Sequence, residues 1–288
     1  MEKGRRLFGL DSNVMWMGVV SFLNDLSSDM IFPFIPIFLT SALGASLTFV
    51  GLIEGVADAT ASILKIASGW LSDKWQKRKS LSVIGYSLSA VSKPMLGAAF
   101  LPWHVLAVRF MDRVGKGVRD APRDALISFS TERRFLGRAF GFHRAMDTLG
   151  AAIGPLMAFA VLPFINNNYR ILFLLSFVAS FLAVLVLIFF VREARPGANG
   201  IDAGIASSNK ASPMAIGRPI VADITEPRAQ EKKNPGENKI WRKLGLPFFL
   251  FLAVATVASL GKASEAFLIL KAREAGVVLV MLPILYVV

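Results

Sequence analysis

The strongest constraint on this chain is the alternation of span-length apolar runs with short, cation-rich breaks. Apolar runs cover residues 14–39, 47–71, 81–101, 103–121, 139–165 and 171–191; another lies at about 246–272, and a last one begins near 277. About 20 such residues, wound as a helix, cross a hydrocarbon core of roughly 30 Å. A soluble domain of 288 residues could bury a large core without any run of that length. Inside lipid a lone strand leaves its backbone polar groups unpaired, so each run must be a helix. Composition agrees: mean hydropathy is +0.56 and 18% of residues are charged, against roughly a quarter in soluble domains. The expected fold class is therefore all-α, a polytopic integral membrane protein.

The breaks assign an orientation. Lys3, Arg5 and Arg6, then Lys74, Lys77, Arg78 and Lys79, then Arg119, Arg123, Arg133, Arg134 and Arg138 fall on one set of helix ends. The opposite set holds Arg170 alone. By the positive-inside rule the basic ends and the N-terminus face the cytoplasm, as expected for a multi-pass protein of a bacterial inner (plasma) membrane. From Arg192 to about Lys239 the sequence is rich in Gly, Pro, Ala and charge without periodicity; this reads as a flexible cytoplasmic linker. The expected domains are a six-helix transmembrane bundle at 1–192, the linker at 193–240, and a partial second bundle at 241–288. The polar cluster NDLSSDMIF in the first run aligns with LGKASEAFL in the seventh, Ser28-Asp29 against Ser264-Glu265. Such a repeat suits two related bundles.

Several function classes drop out. The net charge of +12 is distributed between apolar spans rather than over a soluble surface, so no nucleic-acid partner is expected; the partner is the lipid bilayer. Cysteine is absent and only His104 and His143 are present, which removes disulfides, thiolate metal sites and histidine metal clusters. Neither HExxH nor GxSxG occurs, so no catalytic residue, metal or cofactor is expected and the chain is not read as an enzyme. No selectivity-filter pattern supports a channel. The first run is broken by polar residues and lacks an A-x-A-like site, so it reads as a span rather than a cleavable leader.

Two motifs point to a family. GWLSDKWQKRK, residues 69–79, resembles the loop signature G-x-x-x-D-[RK]-x-G-[RK]-[RK] that the major facilitator superfamily carries between its second and third spans. Gly69, Asp73, Lys74, Lys77 and Arg78 match, and Gln76 replaces the second glycine. Glycine at 69 lets a helix end approach a neighbour. Asp73 can serve a helix N-terminus or pair with a cation of the fourth span, and the cations suit an anionic leaflet. The match implies a conformational latch that also sets topology. GFHRAMDTLGAAIGPLMAF resembles the fifth-span signature G-x(8)-G-x(3)-G-P-x(2)-G-G through Gly141, Gly150, Gly154 and Pro155, with Ala158 and Phe159 at the closing pair. In that family the signature is associated with antiporters. Gly150 and Gly154 form a small-xxx-small packing face, and Pro155 permits a bend. Arg109, in RFMDRVGKGVRDAPRD, matches the arginine of the fourth-span signature, with Asp112 where glutamine often stands.

Charges inside the spans complete the candidate site. Each costs at least a few kcal/mol in lipid, so it pairs or lines a wet cavity. Asp25 lies roughly 17 Å along the first span from its basic end, with Asp29 one turn further on the same face. Glu54 and Asp58 share a face of the second span; Arg109, Arg113 and Lys116 share a face of the fourth. One reading makes Asp25 or Asp29 a proton or substrate site, with Arg109 and Arg113 as cationic cavity residues. The other makes salt bridges, Glu54 or Asp58 with Arg109 or Arg113, and Asp73 with Arg119. Pro33 and Pro36 are expected to let the first helix bend.

The resemblance implies an MFS-type fold: a six-helix N-terminal bundle plus the first two helices of a second bundle. It further implies a secondary active transporter moving a small-molecule solute by alternating access, a proton-coupled antiporter or efflux carrier, acting as a monomer. Members carry twelve spans in two halves. With seven and the start of an eighth, this sequence is expected to be an incomplete carrier with little transport of its own.

Overall fold

The computed structural model describes residues 10–194, 250, 254 and 265–277. The regular elements there are all helical: α1 (Ser12–Ile31), α2 (Leu47–Trp75), α3 (Arg78–Gly97), α4 (Pro102–Phe129), α5 (Leu136–Val161), α6 (Tyr169–Phe190) and α7 (Glu265–Glu274). The bulk of the expected linker, Lys262, Ser264 and the run beyond 277 lie outside the described residues. The chain divides into two compact units, Met1–Ile205 with Ser264–Val288, and Ala206–Ala263; α1 to α7 lie in the first.

Local chemistry starts these helices. Asp11 accepts from the Asn13 backbone N–H at 2.8 Å, Ser46 from Phe49 at 3.2 Å, and Asn168 from Arg170 at 3.0 Å. Each satisfies a backbone donor that the first turn cannot. α4 begins on Pro102, where the missing N–H costs nothing. Past Ile31, α1 becomes a 3-10 turn at Phe32–Phe34, one α turn at Ile35–Ile37 and a π turn at Phe38–Ala42. Pro33 and Pro36 remove the donors that a continuous α-helix needs there.

Among the described residues, four helical stretches are long and apolar enough to cross a membrane: Ser12–Ala42, Leu47–Trp75, Arg133–Ile165 and Tyr169–Phe190. α3 and α4 are more polar because their inward faces carry serines and charges. α4 also runs to Phe129, well past the expected end at 121. Arg123 is therefore helical, where hydropathy placed it beyond the span.

The α2–α3 turn keeps its tight form. Gln76 stands where the signature has glycine, and its φ is +53°, a left-handed conformation that costs an L-residue roughly 1–2 kcal/mol. Its amide offsets this: Nε2 donates to Asp73 O at 2.7 Å, and Oε1 accepts from Arg78 Nη1 at 3.0 Å.

Two pairs of close approaches set the packing. α1 lies against α5, where a Cβ on Gly150 would sit 2.5 Å from Phe22 O and one on Gly154 2.6 Å from Leu26 O. Backbone cannot yield at those distances, so only glycine fits. α3 crosses α4 at Gly85 and Gly115 in the same way, each 2.6 Å from a backbone oxygen of the other helix. Gly141 meets nothing within 4 Å, and Gly69 faces Ala121 at an ordinary 3.5 Å.

The buried apolar side chains form two clusters. One, at the end where α1 begins, includes Val14, Met17, Tyr86, Leu126 and Leu187. The other, at the opposite end, includes Phe34, Phe38, Val50, Leu96 and Phe173, and α7 adds Ala266, Ile269 and Leu270 to it. At the basic end, Asn13 fastens three segments. Its Nδ2 donates to Ser130 Oγ at 2.7 Å and Arg192 O at 3.0 Å, and its Oδ1 accepts from Arg192 N at 2.7 Å. Glu193 then caps α3, accepting from the Arg78 and Lys79 backbone N–H groups at 3.0 and 2.9 Å.

Candidate functional site

Buried polar side chains interrupt the apolar packing: Asn24, Glu54, Ser89, Lys93, Arg109 and Arg119 are all at most 8% exposed. They come from α1, α2, α3 and α4. α4 supplies most of the charge, because Arg109, Arg113, Lys116, Asp120 and Arg123 recur at helical spacing along one side.

Arg109 is the most completely paired of these. Its Nη2 donates to both carboxylate oxygens of Glu54, at 3.1 and 3.0 Å. Its Nη1 is 3.9 Å from Asp112 Oδ2, and the guanidinium stands 5.2 Å from the centroid of Phe32. Asp58, one turn from Glu54, is instead exposed. The pair therefore matches the salt-bridge expectation for Glu54 and Arg109, and leaves Asp58 outside it.

Arg119 lies deeper. Nη1 donates to Ser89 Oγ at 2.9 Å and Asn24 Oδ1 at 3.3 Å, and the guanidinium stacks 4.4 Å above Tyr86. Asn24 turns its own Nδ2 to Asp25 Oδ1 at 3.0 Å. Arg119 is thus linked to Asp25 through a neutral amide. The expected Asp73–Arg119 pair does not form: Asp73 is 78% exposed at its side chain and lies 3.9 Å from the buried Arg78. Arg78 itself stacks 4.3 Å from Phe129. The loop signature thus splits, with Arg78 packed inside and Asp73, Lys74 and Lys77 left at the surface.

Lys93 brings a buried cation from α3 into the same region. Nζ donates to Ser89 O at 3.2 Å and Ser28 Oγ at 3.4 Å, and it feels the charges of Asp25, Asp29 and Asp112. Asp25, Asp29 and Arg113 are half-buried, and Lys116 is exposed. The Arg113 Nε is buried without a hydrogen-bond partner. Asp25 is therefore brought near Arg119 and Lys93, and Asp29 near Lys93.

Sequence reasoning missed Asn24 and Ser89 as the joints of this network, and Ser21, His143 and Glu193 entirely. A signal existed for α3: Ser82, Gly85, Ser89, Ser92 and Lys93 fall on one helical face. No pattern marked Glu193. Among the described residues, no group of three His, Asp or Glu side chains is placed to hold a metal ion.

Comparison with known proteins fits this geometry. The family profile described as Major Facilitator Superfamily matches residues 17–288. An uncharacterized MFS-type transporter of Methanocaldococcus jannaschii is 32% identical over 270 residues, 92% of this chain and 58% of its own length. Multidrug resistance protein MdtH of an Enterobacter species is 29% identical over 128 residues, 44% of this chain and 32% of its own. Among solved structures, a POT family transporter in complex with a thioalcohol-conjugated peptide superposes with a TM-score of 0.61 at 16% identity, covering 72% of this chain and 46% of that one. A bacterial homolog of the human lysosomal transporter Spinster, inward-facing and unoccupied, gives 0.55 at 15% identity, over 64% of this chain and 43% of that one. At such identities the likeness is of fold alone.

Proposed function

Because the chain belongs to the Major Facilitator Superfamily, we propose that its six-helix bundle forms one wall of a secondary active transporter for a small polar or anionic solute. The observation that carries this reading is the division of labour among the intramembrane charges. Glu54 and Arg109 satisfy one another. Asp25 is met by an amide and Lys93 by a carbonyl and a hydroxyl, and Arg113 keeps a buried donor in reserve. Charges held by neutral groups can change partner as a solute or proton arrives, at far smaller cost than breaking a tight ion pair.

In this reading Asp25 and Asp29 are proton or solute sites, and Arg113 is a cation with a buried donor left to meet an anion. Arg109 and Glu54 hold α2 to α4. The basic end faces the cytoplasm, by the charge asymmetry of the loops. The fifth-helix motif and the drug-resistance relative favour proton-coupled antiport, with export as its direction.

The test is solute flux in proteoliposomes holding this chain, alone and together with the C-terminal remainder of the archaeal relative. Saturable uptake with counterflow supports a carrier. A current that grows without saturation would make it a channel. Absence of solute-dependent flux in both preparations would remove the reading.

A further inference from the structure

α4 carries two neighbouring cations that no other side chain answers. Arg113 and Lys116 lie roughly 17 and 21 Å along a helix of roughly 42 Å, so both fall well inside the span. Lys116 is exposed on the side of α4 opposite Ala107 and Val114, and Arg113 is half-buried one turn away. Among the described residues, neither side chain makes a hydrogen bond or an ion pair. The acids around them are already engaged. Asp112 stands 3.9 Å from Arg109, Asp120 lies 3.8 Å from Lys65 and 3.7 Å from Arg123, and Asp25 accepts from Asn24. Two cations three residues apart repel one another, and each is costly within a span. Glutamine at either position would pack as well without that cost.

We propose that Arg113 and Lys116 form the docking site for a doubly charged tetrahedral oxyanion, a phosphate or sulfate group on the transported solute. This rests on the transporter reading above and deepens it by naming the chemical class of the solute. Of the Arg113 nitrogens, Nε is sealed inside the bundle, whereas Nη1 and Nη2 are not closed off. The open end of the guanidinium offers paired N–H donors that match two oxygens of such a group. The Lys116 ammonium adds a point charge from a Cβ about 5–6 Å away, a separation that two long side chains close around one small anion. A single carboxylate would neutralise one cation and leave the other; a dianion answers both.

The test is equilibrium binding of 32P-labelled inorganic phosphate to the whole chain in phosphatidylcholine nanodiscs at about pH 8, where phosphate is mostly doubly charged. Binding should saturate, and sulfate should displace it where chloride and acetate at the same concentration do not. Arg113→Gln and Lys116→Gln should each weaken it about tenfold or more. Arg113→Lys keeps the charge but loses the fork, and should also weaken it. Arg134→Gln removes an exposed cation of the basic end and should leave it unchanged. Without phosphate the Arg113 and Lys116 variants should unfold as the parent does, since neither side chain has a partner to lose. Added phosphate should raise the unfolding midpoint of the parent alone. Lys116→Gln, at an exposed position, serves where an Arg113 variant does not fold.

Absent binding, binding indifferent to both glutamine variants, or displacement by acetate as readily as by sulfate overturns the assignment. Binding that is abolished in phosphatidylglycerol nanodiscs would give the pair to a lipid headgroup and overturn it as well. Phosphate that binds but is not carried in the flux assay fails the transporter reading alone. Flux of an uncharged solute without phosphate binding fails this inference alone.

Discussion

Arg109 and Glu54 form a buried charge pair between α4 and α2, with one guanidinium nitrogen 3.0 and 3.1 Å from the two carboxylate oxygens. Both side chains are buried, so neither can fall back on water when the other is lost. Glu54→Gln should destabilise the bundle by roughly 3 kcal/mol, because it strands a buried cation. Glu54→Gln combined with Arg109→Gln should recover most of that loss. A double-mutant cycle on unfolding in detergent checks it; additive losses would mean that the pair is not an energetic unit.

The α1–α5 seam depends on missing side chains. Gly150→Ala and Gly154→Ala place a Cβ 2.5–2.6 Å from α1 backbone, and each should cost about 1–3 kcal/mol or prevent folding. Gly141→Ala, with open space around it, should be neutral or slightly stabilising, as alanine favours the helix. Thermal unfolding monitored by size-exclusion chromatography separates the two outcomes.

Gln76 carries a left-handed backbone that the family signature assigns to glycine. Gln76→Gly should change stability by less than about 1 kcal/mol, because relief of the conformational penalty offsets two lost hydrogen bonds. Gln76→Ala keeps the penalty and loses the bonds, and should be the less stable of the two. Comparing the unfolding midpoints of the two variants tests this order.

The Glu193 carboxylate serves the N-terminus of α3 from across the bundle. Glu193→Ala should cost roughly 1 kcal/mol, in line with loss of a charged helix cap. Hydrogen exchange should accelerate at the amides of Arg78 and Lys79 ahead of those deeper in α3. Unchanged exchange at both amides would show that water replaces the carboxylate at no cost.

Asp73 is exposed within a packed loop. Asp73→Asn should therefore leave unfolding within about 0.5 kcal/mol of the parent. If Asp73 serves as a latch between transport states, the same variant should slow solute flux in a complete carrier. Loss of stability instead of rate would assign the residue to the bundle itself.

The sequence by itself determined the number and the approximate position of the first six helices. Those properties follow from local quantities: the apolar length that spans a bilayer, the caps at Asp11, Ser46 and Asn168, and the prolines that break the far end of α1. It also located the charged side of α4, since helical periodicity needs no knowledge of neighbours. It underestimated α4 beyond 121 because hydropathy averages over all faces of a helix and cannot recognise charges that will be buried among other helices.

Only the tertiary structure decided the partners. Glu54 and Asp58 are one turn apart and looked equivalent, yet only Glu54 reaches Arg109. Arg119 turned from the expected Asp73 to Asn24, Ser89 and Tyr86. Arg78 met Glu193, more than a hundred residues away. A hydrogen bond forms within about 3 Å, and each residue turns a side chain by 100° around its helix. Which charges meet is therefore fixed by where helices cross, and here the crossings are set at Gly85, Gly115, Gly150 and Gly154 by backbone contact. Small residues at those four positions were visible in the sequence, but the partner each would touch was not, because close approach is a property of two helices together.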